Sequence, residues 1–463
     1  MEYSTLNFNP DQIKTPCFVV DESLLEKNLD TLASVKEHTG CKILLALKCF
    51  SMFRVFPLIR QYLDGVCASS PHEARLGREA FQKEVHTFAA AYSESDILDL
   101  CATTDHLVFN SFGQLERFKP LVKKKAEELG RKIELGIRIN PEHSEGAVPI
   151  YDPCAPGSRL GVKYDNFINA LNFGANDKNL LSRNLPNRED KRQNPLDDIA
   201  GLHWHNLCEQ DADCLERTVK AVESRFGQFI PKMQYINFGG GHHITRPGYN
   251  IKLLEKIIND FQQRWAVQVY LEPGEAVALN AGFFVATVLD IINDSSAVSR
   301  GSISLKNLDD SNKLDDSNKF DKVDNINRVN MDIAIMDGCV PAHTPDVIEM
   351  PYRPNIINSE KPNDILEEHE RLSKDIEFKE RKYIYRVGGL SCLAGDVAGE
   401  YAFEEPLKIG DKLVFTDMAI YSMVKTNTFN GVQLPSIALV KKDDGKVEVV
   451  KKFGYSDFKN RLS

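Results

Sequence analysis

The sequence predicts an α/β protein in which a (β/α)8 barrel is followed by a β-rich domain. Three observations support this prediction. Eight short apolar runs alternate with amphipathic segments over the first two thirds of the chain, polar residues gather where these runs end, and the last third is rich in β-branched or alternating segments. The chain has 463 residues, of which 42% are hydrophobic, enough for two domains that each have a core.

The barrel prediction depends on eight apolar runs and the helical patterns between them. A short strand at 15–21 comes first, and a helix follows it and ends near Gly40. The eight runs are KILLAL (42–47), DGVCAS (64–69), VHTFAAAY (85–92), HLVFN (106–110), IELGIRIN (133–140), IAGLHWHN (199–206), QYINFGGG (234–241) and VQVYLEP (267–273). Eight strand–helix units over roughly 250 residues are typical of a closed barrel whose active-site groups lie at the C-terminal ends of the strands.

We expect the barrel to span residues 22–280. The β-rich domain is expected to comprise 281–463 together with the N-terminal strand within 1–21, because segments such as MDIAIMDG, KYIYRVGG and DKLVFTDM have β patterns. Three polar segments are predicted to be insertions, at 172–197, 300–330 and 355–381. The second contains the direct repeat LDDSNK and too few apolar residues to order itself, whereas the third has a helical pattern.

Composition excludes several classes of function. The net charge is −10, from 57 basic and 67 acidic residues, so we expect no nucleic-acid partner. The ten cysteines contain no CxxC pair, which argues against a disulfide framework and for a reducing compartment. The N-terminus has no signal-peptide pattern, and no apolar run approaches the length of a membrane span. We therefore expect a soluble cytoplasmic protein that binds no membrane.

Polar residues are concentrated at the predicted C-terminal ends of the barrel strands. They are Lys48, Ser69, Ser70, Tyr92, Asn110, Arg138, Asn140, His205, Asn206, Gly239–Gly241 and Glu272. Lys48 comes where the buried run 43–47 stops. It is either a structural lysine with its stem along apolar surface, or an amine held at the barrel mouth for Schiff-base chemistry.

The glycine triplet and Glu272 help to decide between a structural and a Schiff-base role for Lys48. Gly239–Gly241 follow the seventh run, where barrel loops commonly bind phosphate through backbone N–H groups, although three glycines also suit a tight turn. A phosphate and a Schiff-base lysine together indicate pyridoxal 5′-phosphate (PLP). Glu272 could then hold a proton on the pyridine nitrogen, or it could be an ordinary exposed carboxylate before a turn.

The HWH segment offers a metal alternative. His203 and His205 lie on one face of the sixth run, because side chains of a strand alternate, and such a pair can bind a metal. Barrel metallohydrolases usually carry this pair on the first strand, where this chain has a lysine instead. We therefore predict no metal, a core role for His203, and a ring at His205 that stacks on a planar cofactor.

Seven segments, in order, resemble the fold-type III PLP-dependent decarboxylases, which include ornithine, arginine and diaminopimelate decarboxylases. They are ALKCFS (46–51), CASSPHEA (67–74), GLHWHN (201–206), NFGGGHH (237–243), YLEPGE (270–275), GGLSCLAGD (388–396) and DMAIYSMVKTNTFNG (417–431). Three further segments, EGAVPIYDPCAPGSRLGV, GGGHHITRPGYN and VPAHTPDVIEMPYRP, resemble the carboxynorspermidine/carboxyspermidine branch of that family.

This resemblance implies a role for each candidate residue. Lys48 and Cys392 are the implied catalytic residues, the cysteine as the acid that returns a proton to the substrate. The implied cofactor-binding residues are Lys48, Arg138, His205, Gly239, Gly240, Gly241, Glu272 and Tyr421. Carboxylates for the ammonium groups of a polyamine-type substrate would come from Glu275, Asp346 and Asp396. The family also implies a homodimer with shared active sites, in which Cys392 comes from the other subunit.

The sequence departs from the pattern of ornithine and diaminopimelate decarboxylases at two positions, and it leaves two alternative functions open. Ornithine and diaminopimelate decarboxylases generally have arginine after EPG, where this chain has Glu275, and Val66 stands where they often have an acidic residue. We therefore expect decarboxylation of carboxynorspermidine or carboxyspermidine. Another basic amino acid decarboxylase of this fold, or a regulatory homologue without activity, is the alternative. Cys392 could also be a buried small hydrophobe, although the glycines around it favour a loop.

Overall fold

A computed structural model describes residues 6–146, 152–176, 194–293, 331–360 and 383–463. The chain forms two compact units. One is Glu22–Ala281, and the other combines Met1–Asp21 with Gly282–Ser463. Most of the predicted insertions lie outside the described residues, including the whole of 300–330 with its repeat, 177–193 and 361–381.

The unit Glu22–Ala281 is a closed barrel of eight parallel strands, which confirms the predicted fold class. Strand β1 (Cys17–Asp21) precedes it in the chain. The barrel strands are β2 (Lys42–Ala46), β3 (Gly65–Ala68), β4 (Glu84–Phe88), β5 (His106–Phe109), β6 (Glu134–Arg138), β7 (Ile199–His203), β8 (Tyr235–Asn237) and β9 (Gln268–Leu271). Neighbours in the chain are neighbours in the barrel, and β2 pairs with β9 to close it. Seven of the eight predicted apolar runs contain the corresponding strand in full, and β4 begins one residue before its run, at Glu84.

Helices follow the strands as the amphipathic patterns predict. They are α1 (Glu22–Thr39), α2 (Phe56–Tyr62), α3 (Pro71–Leu76), α4 (Glu94–Thr103), α5 (Phe112–Glu128), α6 (Tyr164–Asn176), α7 (Ala212–Phe226), α8 (Ile251–Trp265) and α9 (Glu275–Ala278). Side-chain oxygens of Ser70, Ser93 and Ser111 accept hydrogen bonds from the first turns of α3, α4 and α5, which fixes where each helix begins.

The barrel interior is filled near its N-terminal end by large rings. Tyr235 and Tyr270 pack edge to face, with ring centroids 5.5 Å apart. Two glycines make room for them, since a Cβ at Gly201 would lie 2.3 Å from the Tyr235 ring and one at Gly136 would lie 2.7 Å from its hydroxyl. The small residues are therefore part of the packing of the barrel core.

The second unit is a mixed β-sheet. Its strands are β1, β10 (Gly282–Ile292), β11 (Met331–Met336), β12 (Ser359–Glu360), β13 (Tyr383–Gly388), β14 (Val397–Phe403), β15 (Lys412–Thr416), β16 (Ser436–Val440) and β17 (Val447–Lys451). The order is β12-β14-β13-β11-β10-β1-β16-β17, and β15 also pairs with β10. Strand β1 is antiparallel to β10 and parallel to β16, so the N-terminal segment lies inside this sheet.

Short helices and a buried cluster complete the second unit. The helices are α10 (Val340–His343), α11 (Asp346–Glu349), α12 (Ser422–Lys425) and α13 (Tyr455–Lys459). Phe18, Phe284, Tyr385, Tyr401 and Phe415 belong to one buried cluster. Within the described residues, no helix combines the length and apolar character that crossing a membrane requires.

Replacing Gly201 by Ala tests the packing of the barrel interior. We expect Gly201→Ala to lower the free energy of unfolding by about 1–3 kcal/mol, because the new methyl group overlaps the Tyr235 ring. The matched control is Gly113→Ala, since a Cβ at Gly113 in α5 has no neighbour within 4 Å. That control should be neutral or stabilise by about 0.5–1 kcal/mol in denaturant unfolding. Equal unfolding midpoints for the two variants would contradict this account.

Candidate active site

Lys48 lies in the turn that directly follows β2. The turn is fixed by its backbone, since the Leu47 N–H donates to the Cys67 carbonyl at 3.1 Å and the Cys49 N–H donates to the Ala46 carbonyl at 3.0 Å. The Lys48 side chain is exposed. Its ammonium has no hydrogen bond or ion pair within the described part of the chain. The geometry thus leaves an accessible amine at the C-terminal end of the first barrel strand.

Glu272 lies just beyond β9 and is held by two neighbouring strands. The Asn237 side-chain amide donates to Oε1 at 2.7 Å, and His203 Nε2 lies 3.4 Å from Oε2. Burial acts to raise the pKa of Glu272, but the His203 ring and the Asn237 hydrogen bond outweigh it and hold that pKa below its usual range. The carboxylate is therefore largely buried, oriented and ionised at neutral pH.

His203, for which the sequence predicts a core role, also contacts Glu272. It is buried, and its ring lies against both Glu272 and Phe88, with a ring-centroid distance of 5.4 Å to the phenylalanine. Sequence reasoning also missed Asn237. The signal available in the sequence was its position at the end of the seventh barrel strand, immediately before the glycine segment.

His205 is positioned by the glycine loop and by Arg138. The Gly240 N–H donates to His205 Nδ1 at 3.1 Å, and the Arg138 guanidinium donates to the His205 carbonyl at 2.9 Å. Burial, followed by the positive charges of Lys48 and Arg138, holds the pKa of His205 well below its ordinary value. The imidazole is therefore neutral at neutral pH, and its Nδ1 atom lies within hydrogen-bond distance of both the N–H and the carbonyl oxygen of Gly240.

Each glycine of the triplet allows a close backbone approach. A Cβ at Gly239 would lie 2.2 Å from the Trp204 carbonyl oxygen, one at Gly240 would lie 2.5 Å from the Glu272 carbonyl oxygen, and one at Gly241 would lie 2.0 Å from the Leu207 carbonyl oxygen. Gly239 and Gly241 also have positive φ, at 70° and 83°. Backbone packing is therefore sufficient by itself to require glycine at all three positions.

Two of the three glycine N–H groups already have acceptors within the chain. The Gly239 N–H donates to the Asn237 side-chain oxygen at 2.8 Å, and the Gly240 N–H donates to His205. The sequence predicts that backbone N–H groups of this segment bind a phosphate. Among the described residues, the Gly241 N–H is the one of the three without an acceptor. Close packing of β7, β8 and β9 is what requires the first two glycines.

Arg138 is a buried cation at the end of β6. Its guanidinium lies 4.5 Å from the centroid of the Phe88 ring. Burial lowers the pKa of Arg138 to about 10, so the group stays charged at neutral pH. Its contact with the His205 carbonyl makes it a positioning group for that histidine.

A second loop that sequence reasoning left without a role reaches the same end of the barrel. Asn110, which follows β5, donates to the Arg159 carbonyl at 2.7 Å and accepts from the Gly161 N–H at 2.7 Å. The Arg159 charge contributes to lowering the pKa of Arg138, for which burial is the main cause. Glu275, a predicted substrate carboxylate, begins α9 and is partly buried.

In the second unit, Cys392 lies on an exposed loop, so the buried alternative for this thiol is wrong. Asp396 holds this loop together. Its carboxylate accepts from the Val340 N–H at 2.7 Å and from the Ser391 N–H at 2.9 Å, and it is buried. Both oxygens of Asp396 therefore have structural partners, which disfavours it as a ligand for a substrate amine.

The other two predicted residues of this unit lie around Lys425. Its ammonium forms ion pairs with the buried Asp346 and, at 2.9 Å, with Glu349. The Tyr421 ring centroid is 5.7 Å from the same ammonium, and Tyr421 adopts a positive φ of 52° just before α12. Asp346 thus already neutralises a lysine, whereas the strained backbone of Tyr421 is typical of a residue held for a function.

The barrel rim therefore combines an accessible amine, a buried ionised carboxylate, a neutral imidazole and a bare backbone segment. These groups fit a planar cofactor with a ring nitrogen and an aldehyde, because the carboxylate can hold a proton on the nitrogen and the amine can condense with the aldehyde.

Comparisons with known proteins agree with this geometry. The carboxynorspermidine/carboxyspermidine decarboxylase of Campylobacter jejuni is 36% identical, over 97% of this chain and 99% of the relative. The carboxyaminopropylagmatine decarboxylase of Synechocystis sp. is also 36% identical, over 97% of this chain and 96% of the relative. A crystal structure of the C. jejuni carboxynorspermidine decarboxylase in complex with norspermidine has a TM-score of 0.73 at 35% identity, covering 97% of this chain and all of that one. No protein-family model matches.

The fold and these similarities define a fold-type III decarboxylase. More narrowly, the chain belongs to the carboxynorspermidine/carboxyspermidine decarboxylase family, whose members are carboxy-lyases of polyamine biosynthesis.

Replacing Asn237 by Ala tests the hydrogen bond to Glu272. Loss of the amide donor weakens stabilisation of the carboxylate, so the pKa of Glu272 should rise. If decarboxylation needs that carboxylate ionised, the acid limb of the kcat/KM profile should move to higher pH by about one unit or more. Asn259→Ala is the control, because Asn259 is an exposed asparagine on α8. An unchanged acid limb in Asn237→Ala would refute this role.

Proposed function

We propose that the chain decarboxylates carboxynorspermidine and carboxyspermidine to norspermidine and spermidine with PLP as cofactor. The observation that carries the proposal is that an accessible Lys48 amine and a largely buried, ionised Glu272 both follow barrel strands at their C-terminal ends, in a member of this enzyme family. The crystal structure of the C. jejuni relative with norspermidine supports a polyamine-type substrate.

Lys48 and Glu272 would hold two different groups of the cofactor. PLP, when bound, would supply an electron sink for the carbanion that loss of CO₂ leaves on the substrate. The Lys48 amine would bind the aldehyde of the cofactor. Glu272 would keep a proton on the ring nitrogen. His203 and Asn237 hold the Glu272 carboxylate in its ionised form and fix its orientation.

His205 and the glycine loop orient the cofactor. His205 offers the face of a neutral ring for stacking, and Arg138 and Gly240 hold that ring in place. The bare backbone at Gly239–Gly241 lets the phosphate approach, with the Gly241 N–H as a donor. We assign Tyr421 to the same phosphate, on the family resemblance.

Cys392 returns a proton to the substrate α-carbon. We propose a homodimer in which the partner subunit's Cys392 completes each site, as the family resemblance implies. Exposed apolar residues on this loop support the proposal that a partner subunit covers it, because Leu390 and Leu393, on either side of Cys392, are 40% and 44% exposed.

Glu275 is the carboxylate that we assign to the substrate's ammonium groups. It stands at the position after EPG where ornithine and diaminopimelate decarboxylases generally have arginine. Asp346 and Asp396, the other two candidates from the sequence, already have partners in their own unit.

A parallel CO₂-release assay tests the function. The purified chain with PLP is given carboxynorspermidine, carboxyspermidine, carboxyaminopropylagmatine, diaminopimelate and ornithine. We expect the highest kcat/KM with the first two, and both turnover and the visible absorption of bound PLP should disappear in Lys48→Ala. Lys252→Ala, at an exposed lysine on α8, should retain both. Preference for another substrate in this panel would replace our assignment, and normal turnover by Lys48→Ala would end the PLP mechanism.

Replacing Cys392 by Ala tests the proton donor. A general acid typically contributes 10²–10⁴-fold, so we expect kcat to fall by about that factor with little change in KM. Cys214→Ala is the control, because that thiol is only partly buried and lies on α7, a helix of the barrel unit that carries no predicted site residue. A wild-type kcat in Cys392→Ala would assign the proton transfer to another group.

A further inference from the structure

Two loops at the C-terminal end of the barrel are joined to each other by backbone hydrogen bonds. One loop, residues 207–211, comes after β7, and the other, residues 242–249, comes after β8. The Gln210 N–H donates to the Gly241 carbonyl at 3.0 Å, and the His243 N–H donates to the Gln210 carbonyl at 3.3 Å. We call residues 207–211 and 242–249 the loop pair.

The loop pair adjoins the candidate active site. A Cβ at Gly241 would lie 2.0 Å from the Leu207 carbonyl oxygen, so the first loop packs directly on the glycine triplet. The Thr245 hydroxyl donates to the Ala276 carbonyl at 2.7 Å, which joins the second loop to α9, the helix that Glu275 begins. The loop pair therefore lies beside the proposed phosphate segment and beside the helix that carries the proposed substrate carboxylate.

Four side chains of the loop pair contain buried polar atoms that have no hydrogen-bond partner among the described residues. These atoms are Gln210 Oε1, Asp211 Oδ1, both ring nitrogens of His243 and the Tyr249 hydroxyl. The His243 and Tyr249 residues are only 8% and 7% exposed. Burying polar atoms without partners is unfavourable, so their concentration in two adjoining loops indicates that a ligand supplies the missing hydrogen bonds.

Asp211 does not make the hydrogen bond that its position favours. It is the N-cap residue of α7, but its side chain accepts no hydrogen bond from the first turn of that helix. Its Oδ2 atom instead accepts from the Arg246 guanidinium at 2.5 Å, while Oδ1 has no partner in the described part of the chain. One carboxylate oxygen of Asp211 is therefore left for a ligand.

The atoms without partners are mainly hydrogen-bond acceptors. Gln210 Oε1 and Asp211 Oδ1 can only accept. Burial lowers the pKa of His243, so its ring is neutral and offers one accepting and one donating nitrogen. The Tyr249 hydroxyl can donate or accept. Acceptors therefore outnumber donors, and a ligand rich in N–H groups would satisfy this set.

The charge of the loop pair favours a cation. Its acidic residues are Glu209 and Asp211, and Arg246 is its one lysine or arginine. Arg246 is paired with Asp211. The Glu209 carboxylate has no hydrogen bond or ion pair within the described residues, so one negative charge of the loop pair is not offset.

We propose that the loop pair binds the terminal ammonium group of the polyamine-type substrate, an assignment that rests on the proposed function. An alkylammonium group has three N–H donors and one positive charge, which matches the excess of acceptors and of negative charge. Glu275 is left for an ammonium group nearer to Lys48, because Gly274 packs against Cys49. The loop pair would thus favour a substrate with a long polyamine tail.

Binding of norspermidine to the PLP-loaded chain tests this site without turnover. 1,3-Diaminopropane is the shorter probe, because it lacks the terminal aminopropyl group. In Glu209→Gln and in Tyr249→Phe, the Kd for norspermidine measured by calorimetry should rise about 10-fold, since each variant loses one contact to a charged group. The Kd for 1,3-diaminopropane should not change. Glu37→Gln, at an exposed glutamate of α1, is the control and should bind both amines like the wild type.

Turnover of carboxynorspermidine provides a second measurement. In the same two variants KM should rise about 10-fold with little change in kcat, because the contact is remote from the bond that breaks. Equal Kd values for norspermidine in the wild type and both variants would refute the site and leave the proposed function intact. Failure of the wild type to bind norspermidine would overturn both the site and the proposed substrate.

Discussion

The hydrogen-bonded register of the closed barrel is the constraint on which the candidate site depends. Arg138 pairs with His203 across β6 and β7, and His203 pairs with Asn237 across β7 and β8. Asn237 in turn pairs with Tyr270, two residues before Glu272. Because side chains of a strand alternate between two faces, a slip of one residue would turn each of these groups away. A closed barrel has no edge at which such a slip can begin.

Register brings two opposite charges into a buried layer, and each charge is satisfied locally. Arg138 has the His205 carbonyl and the Phe88 ring, and Glu272 has Asn237 and His203. Burying an ion without such partners would instead neutralise it. The site therefore keeps a fixed cation and a fixed anion while His205 stays neutral between them. A neutral imidazole can present its ring face without adding a third charge.

The sequence predicts the parts of this arrangement that depend on local pattern. Eight apolar runs predict the barrel, because each parallel strand of a barrel is buried on both faces and therefore reads as a continuous apolar run. The positions of Lys48 and Glu272 at the ends of two runs are sufficient to predict them as site residues. Contacts between strands depend on register instead. His203 and Asn237 were therefore missed as partners of Glu272. The hydrogen bonds from the Val340 and Ser391 N–H groups to Asp396 could likewise not be predicted, because these residues are distant from one another in the sequence or lie in an irregular loop.

The same register explains why the two ends of the barrel differ in chemistry. At the C-terminal end, Gly239–Gly241 have no side chains, so a ligand can approach the backbone of this segment closely. Packing that keeps the strands in register must then come from the other end, where Tyr235 and Tyr270 fill the interior. The stacked imidazoles of His86 and His106 lie in that packing, with ring centroids 3.8 Å apart. Packing at the N-terminal end therefore holds the register on which the residues at the C-terminal end depend.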